Sequence, residues 1–331
     1  MALQLFPDIS KITAVRDGTK YAYIHIPAAD SKKPTFLLLH GFPSTSYDWR
    51  HVVPLFKELG YGVLAPDLLG YGDSDKPADI EAYSFKRMAD HIIELVVGEG
   101  LEQVIGVGHD WGSTLLSAAG LIHPERFSGV VFTAVGFSPP GPFDLKSVNA
   151  MVQQFVGYTA FAYMEFFNED GAAAICDSYP ASVTSMLYST TPEDWKAHMG
   201  VEGGAKKWVS SGDVSPPPSW MSREEVATHV QILKKGGYTG PLNWYKSFIR
   251  GIDKPLHAKF ATDESRNLDI PALVVTAAYD CGSRPEFQIP AAEKHLSNRS
   301  IENFECGHWI PLEKPKELVE LLQEFASSLK K

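Results

Sequence analysis

The chain has 331 residues, 44% of them hydrophobic and 21% charged, which excludes a mainly disordered or collagen-like molecule. Lys and Arg total 30 against 40 Asp and Glu, a formal net charge of −10, which argues against a nucleic-acid footprint or a polybasic membrane surface. Three cysteines, Cys176, Cys281 and Cys306, give no disulfide framework and fit a reducing, cytoplasmic setting. The opening MALQLFPDIS lacks the basic-then-apolar order of a signal peptide. No apolar run approaches the ~20 residues a spanning helix needs.

The first half alternates strand-like and helix-like segments. Ile12 to Arg16 and Lys20 to His25 flank Asp17-Gly18 and read as an antiparallel hairpin. Thr35 to His40 is a short apolar run that ends at a Gly-Phe-Pro turn, and Tyr61 to Pro66 is a second run. Such runs fit strands buried on both faces. Ser84 to Val97 has helical period, with Ser84 as N-cap and Phe85, Met88, Ile92 and Leu95 on one face. Gln103 to Gly108 reads as a strand, Trp111 to Ile122 as a helix and Gly129 to Val135 as a strand.

The rhythm breaks at Ser138-Pro139-Pro140-Gly141-Pro142. From there to His257 the chain offers helical stretches, dense aromatics and no convincing strand. The sheet pattern then resumes with strands at Pro271–Ala277 and Ser300–Phe304 and an amphipathic helix from Pro315 to Leu329. The expected fold class is α/β, a mostly parallel doubly wound sheet. Residues 1–137 and 258–331 form the sheet domain, and residues 138–257 form a helical insertion.

Three segments carry chemistry. Gly108-His109-Asp110-Trp111-Gly112 lies between a strand and a helix and has the small-x-nucleophile-x-small form of a nucleophile elbow, with Asp in the nucleophile slot. The alternative is a glycine-rich turn in which Asp110 is only a helix cap. Ser113 does not fit the slot. His40-Gly41-Phe42-Pro43 ends a strand, and the backbone N–H groups of Phe42 and Trp111 would together form an oxyanion hole. His40 itself reads as a structural histidine bonded to backbone. Cys306-Gly307-His308-Trp309 follows the last strand and offers His308 as a base. Asp280, after the preceding strand, is its acid partner, with Glu305 a weaker rival because it lies close to the histidine in sequence. The chain order nucleophile, acid, histidine fits this architecture.

These segments together resemble the α/β-hydrolase superfamily over nearly the whole chain. Asp67 to Pro77 also looks like that superfamily's loop after its fourth strand and reads as structural. An Asp nucleophile narrows the resemblance to epoxide hydrolases and haloalkane dehalogenases, both of which form an alkyl ester on a carboxylate. A serine would give an ether that resists hydrolysis. Gly237 to Tyr245 resembles the soluble epoxide hydrolase motif whose last tyrosine is a ring-opening acid, here Tyr245. Tyr163 to Gly171 resembles more loosely the segment that carries the partner tyrosine, here Tyr163, with Tyr158 as the other candidate. Phe42 stands where several dehalogenases place a halide-donating Asn. The chain as a whole looks like a microbial or fungal soluble epoxide hydrolase without an N-terminal phosphatase-like extension, and the helical insertion corresponds to the family's cap.

The resemblance implies the following roles. Asp110 attacks, Tyr163 and Tyr245 donate to the epoxide oxygen, and His308 with Asp280 activates water. Phe42 and Trp111 stabilise the oxyanion, and Phe42, Trp111, Tyr163 and Tyr245 also contact substrate. The substrates are a lipophilic epoxide and water. No metal, cofactor or nucleic acid is expected. Haloalkane dehalogenation by the same Asp110, His308 and Asp280 is the alternative.

Overall fold

Eight short segments pair into one sheet, the central ones apolar or β-branched over most of their length. They are β1 (Ser10–Ala14), β2 (Lys20–Ile26), β3 (Thr35–Leu39), β4 (Gly62–Pro66), β5 (Val104–His109), β6 (Phe127–Thr133), β7 (Ala272–Ala277) and β8 (Arg299–Phe304). The computed structural model describes residues 2–189 and 191–329. The strand order is β1-β2-β4-β3-β5-β6-β7-β8. The β1–β2 and β2–β4 pairs are antiparallel, and every later pair is parallel. The doubly wound sheet and the resumed strands stand as the sequence predicts, and so does the hairpin except that its first strand is Ser10–Ala14 rather than Ile12–Arg16. The sixth strand is shifted: it runs from Phe127 and stops at Thr133, because Ala134 turns into the left-handed region at φ 60°.

Alternation along the central strands builds two cores. Leu37 and Leu39 of β3 point to one face, where they join Met88 and Ile92 of the helix Phe85–Gly98 and Leu115 and Leu116 of the helix Trp111–Ile122. Phe36 and Leu38 point to the other face and meet Phe56, Leu318 and Leu322. Between β6 and β7 the described residues contain helices and no strand, from Leu145–Val156 to Lys254–Lys259. This helical layer shares the first core, through residues such as Phe167, Leu242 and Trp244.

The helix Thr239–Ile249 is tied to the sheet domain by side chains from successive turns. Asn243 Nδ2 donates to Ala78 O (3.1 Å), Trp244 Nε1 to Leu69 O (2.8 Å) and Ser247 Oγ to Tyr83 O (2.9 Å). Just beyond it, Asp253 accepts from Ser84 Oγ (2.7 Å) and from the Phe85 N–H (2.8 Å). The buried carboxylate thereby joins Ser84 in capping the helix Phe85–Gly98. No helix among the described residues is long and apolar enough to cross a membrane.

Candidate active site

The sheet order places the site. After β3 the chain leaves to one side to make β4, then returns past β3 to make β5, so the connections diverge between β3 and β5. The crevice beyond the carboxyl ends of such strands is where open α/β sheets present their chemistry. Phe42 follows β3 there, and Asp110 follows β5. Asp110 has φ 54° and ψ −124°, an uncommon conformation for a residue with a side chain. It ends β5 and starts the helix Trp111–Ile122, and this turn raises its carboxylate above the sheet. The turn is possible only because strand and helix approach closely: a Cβ on Gly112 would collide with the carbonyl oxygen of Leu39. A Cβ on Gly41 would collide with the Asp110 carboxylate itself.

One oxygen of that carboxylate, Oδ1, accepts the N–H of Phe42 at 2.7 Å. Trp111 opens the helix beside it without donating its own N–H to either carboxylate oxygen. On the other oxygen, Oδ2, His308 Nε2 lies 3.6 Å away. The opposite ring nitrogen of His308, Nδ1, is 2.6 Å from Asp280 Oδ2. Asp280 is itself fixed, since its Oδ1 accepts the N–H groups of Gly282 (2.8 Å) and Ser283 (2.9 Å). Glu305 takes no part; it accepts from Tyr279 Oη at the surface, 2.5 Å away.

The charges follow from this packing. Burial opposes ionisation of Asp110, but the hydrogen bond and positive charge of His308, with the Phe42 N–H, hold its carboxyl below the usual range. Burial likewise opposes a charged His308, yet Asp280 and Asp110 outweigh it and push the imidazole up to about 10. His109, next to Asp110, is pulled down to about 4, chiefly by burial. As a neutral ring it donates from Nε2 to the carbonyl of His308 (2.8 Å), a structural role. His40 is structural too, with Nδ1 donating to Gly41 O and Nε2 accepting the Leu68 N–H, both at 2.9 Å.

Tyr163 and Tyr245 come from separate helices and face the same small chamber as Asp110. Their rings meet edge to face at 6.1 Å, and Tyr245 also lies edge-on to Trp111 at 4.9 Å. Burial, together with the Asp110 carboxylate, raises both hydroxyls above their ordinary value, so both stay protonated donors near neutral pH. Tyr158 points elsewhere, donating from Oη to the carbonyl of Cys281 at 2.7 Å. Ser113 is buried in the helix, outside the nucleophile position.

Sequence reasoning missed two features. Leu187, Trp195, Met199 and Trp309 complete the chamber wall, and in sequence they are ordinary apolar residues. Glu313 accepts the N–H groups of Gly307 (2.9 Å) and Trp309 (3.0 Å), on either side of His308, and so holds the loop that presents the imidazole. The signal was a carboxylate five residues past the histidine, at the end of the short helix Ile310–Glu313. Among the described residues no three His, Cys, Asp or Glu side chains gather as a metal site.

Residues 34–315 match the family described as the alpha/beta hydrolase fold. Among curated relatives, the chain is 32% identical over 320 residues to the bifunctional epoxide hydrolase 2 of Rattus norvegicus, covering 93% of this chain but 53% of that one. It thus spans about half the length of that relative. It is 29% identical to epoxide hydrolase A of Mycobacterium tuberculosis, covering 92% of this chain and 94% of that one. Among solved structures, an epoxide hydrolase from an endophytic Streptomyces superposes with a TM-score of 0.82 at 26% identity, covering 97% of this chain and 96% of that one. Epoxide hydrolase A from Mycobacterium thermoresistibile superposes with a TM-score of 0.76 at 28% identity, covering 96% and 98%. The fold, the family match and the elbow at Asp110 agree: the chain belongs to the α/β-hydrolase fold family, where the relatives it resembles are epoxide hydrolases.

Proposed function

We propose that the protein hydrolyses a lipophilic epoxide to a vicinal diol through an alkyl ester of Asp110. The observation that carries this reading is the pair of protonated tyrosines, Tyr163 and Tyr245, in one chamber with an ionised carboxylate nucleophile. Residues 138–257 then act as the cap that brings the two acids over the core.

Asp110 Oδ2 attacks one ring carbon from the side opposite its C–O bond. The ring oxygen takes a proton from one of the two tyrosine hydroxyls as it leaves, and the other hydroxyl donates a hydrogen bond to it. The product is an ester and a neutral alcohol. Ester formation removes the negative charge of Asp110, and with it two of the interactions that hold His308 protonated. The imidazole then gives up its proton, which returns the tyrosinate to a neutral hydroxyl, and becomes the base that the second step needs, still oriented by Asp280. Water loses a proton to Nε2 and attacks the Asp110 carboxyl carbon. The developing oxyanion is Oδ1, which the Phe42 N–H already contacts, and pyramidalisation at that carbon moves it toward the Trp111 N–H. Collapse of the tetrahedral species expels the alkoxide, which takes the proton from Nε2 and leaves as diol; the new Asp110 carboxyl then passes its own proton to His308, which restores the carboxylate and the protonated imidazole.

The test is a paired assay on the purified chain, with an aryl epoxide followed for diol and a long-chain haloalkane followed for halide. Diol without halide is expected. Halide without diol would establish the dehalogenase alternative and remove the roles given to Tyr163 and Tyr245. A cytoplasmic location is part of this reading; its support is that Cys176, Cys281 and Cys306 are all unpaired.

A further inference from the structure

The free space around Asp110 is one-sided. The chamber that holds Asp110, Tyr163 and Tyr245 has a volume of about 40 Å³. It adjoins a vestibule of about 170 Å³ that extends past Thr191, Trp220 and Tyr279. Leu187, Trp195 and Trp309 wall both spaces, together with Asp280 and His308. Trp195 stands between them with its ring 6.2 Å from Tyr163 and 6.3 Å from Tyr158. Its indole also occupies the space beside residue 282, where a Cβ in place of Gly282 would lie 3.2 Å from it.

The opposite side is closed. Phe42 lies 5.0 Å from Tyr245 and 5.0 Å from Phe167, and Trp111 lies 5.2 Å from Phe248. Phe42, Phe167, Tyr245 and Trp111 are all buried. The next cavity in that direction, about 30 Å³ beside Phe85, Thr114 and Phe248, shares no wall residue with the chamber.

We infer that this enzyme prefers terminal epoxides, substituted on one ring carbon only, with the single substituent passing Trp195 into the vestibule. The inference rests on the epoxide hydrolase reading. The attack geometry supplies the reason. The ring oxygen must face Tyr163 and Tyr245 while Asp110 approaches from the far side of the carbon. That sets the carbon–carbon bond of the ring across the line from nucleophile to acids, so groups on its two carbons diverge in opposite directions. One direction leads to the vestibule. The other meets packed aromatic rings, where interiors do not yield without cost.

Two isomers of equal composition test this: 1,2-epoxyoctane and trans-4,5-epoxyoctane, each followed for diol. The expected kcat/KM favours the terminal isomer by at least about tenfold, the scale on which a misfit of a few methylenes acts. In Trp195→Ala the vestibule side widens and the closed side does not. The terminal preference should therefore persist. A bulky-armed terminal epoxide, 3,3-dimethyl-1,2-epoxybutane, should gain about fivefold or more on its linear isomer 1,2-epoxyhexane. Equal turnover of the two octane isomers by the unmodified chain overturns the proposal and leaves epoxide hydrolysis standing. An unchanged ratio of the hexane isomers in a folded Trp195→Ala overturns the path past Trp195. Diol from none of these compounds removes the underlying reading and the proposal together.

Discussion

His308 lies between two carboxylates, Asp110 and Asp280, so in the proposed cycle its charge depends on whether Asp110 is free or esterified. Asp110→Asn imitates the loss of charge on esterification. In that variant the His308 titration should fall from about 10 toward the ordinary histidine range, read by ring-nitrogen NMR. The same substitution should cut diol formation by at least about 10⁴-fold, because an amide does not displace the ring oxygen. Full turnover without deamidation back to Asp would sink the ester mechanism. In water labelled with heavy oxygen, the first turnover should put the label into Asp110 and only later turnovers into diol. Tyr245→Phe removes one of the two hydroxyls proposed as donors to the leaving oxygen. It should slow the alkylation step by about 10²-fold while leaving hydrolysis of a preformed ester nearly unchanged, as stopped-flow tryptophan fluorescence can separate.

At the scale of elements, the helix Thr239–Ile249 shows how a local motif acquires its geometry. Asn243 and Trp244 donate into the loop that follows β4, and the next residue in the chain is Tyr245. The two anchors fix the rotation of the helix about its axis, which aims the Tyr245 hydroxyl at the chamber. Asp253 extends the same attachment by capping the helix Phe85–Gly98 from the far end of the insertion. Asp253→Ala strips that cap and leaves buried donors without it. It should lower unfolding stability by about 1–3 kcal/mol, seen as a shifted denaturant midpoint at unchanged slope.

At the scale of the molecule, a second set of polar links ties the helical layer to the sheet domain at residues 48–51. Glu225, in the helix Arg223–Gly236, accepts from Arg50 Nε at 2.6 Å and pairs with His51 at 2.8 Å. Tyr188 donates to Asp48 at 2.8 Å and stacks on Trp309 at 4.0 Å. Burial works against the Glu225 charge, but the Ser222 N–H and Arg50 outweigh it and lower the carboxyl from 4.5 to about 2. A carboxyl depressed on folding contributes stability that is complete above its unfolded value and is lost as pH falls toward the folded one. Acid unfolding should therefore lose this contribution between about pH 4.5 and 2, and Glu225→Gln should flatten that part of a Tm-against-pH curve.

Much of this was legible in the residues themselves. Period-two and period-3.6 patterning, turn glycines and the break at Ser138 gave the doubly wound sheet and the helical insertion, because burial imposes those periods locally. The spacing of Gly108, Asp110 and Gly112 marked the elbow, since only small residues let strand and helix approach so closely. The sequence preferred Asp280 to Glu305 and Tyr163 to Tyr158, but only coordinates could put Asp280 on His308 and Tyr163 in one chamber with Asp110. A carboxylate's reach to an imidazole depends on where β7 and β8 end, and a tyrosine's direction depends on the turn that precedes its helix. The ring wall around Phe42 and Trp111 and the passage past Trp195 were beyond any reading of the sequence. They arise where side chains from the β3 turn, the elbow and four different helices converge. No local pattern records such a meeting, because cavity shape is set by packing between segments distant in the chain.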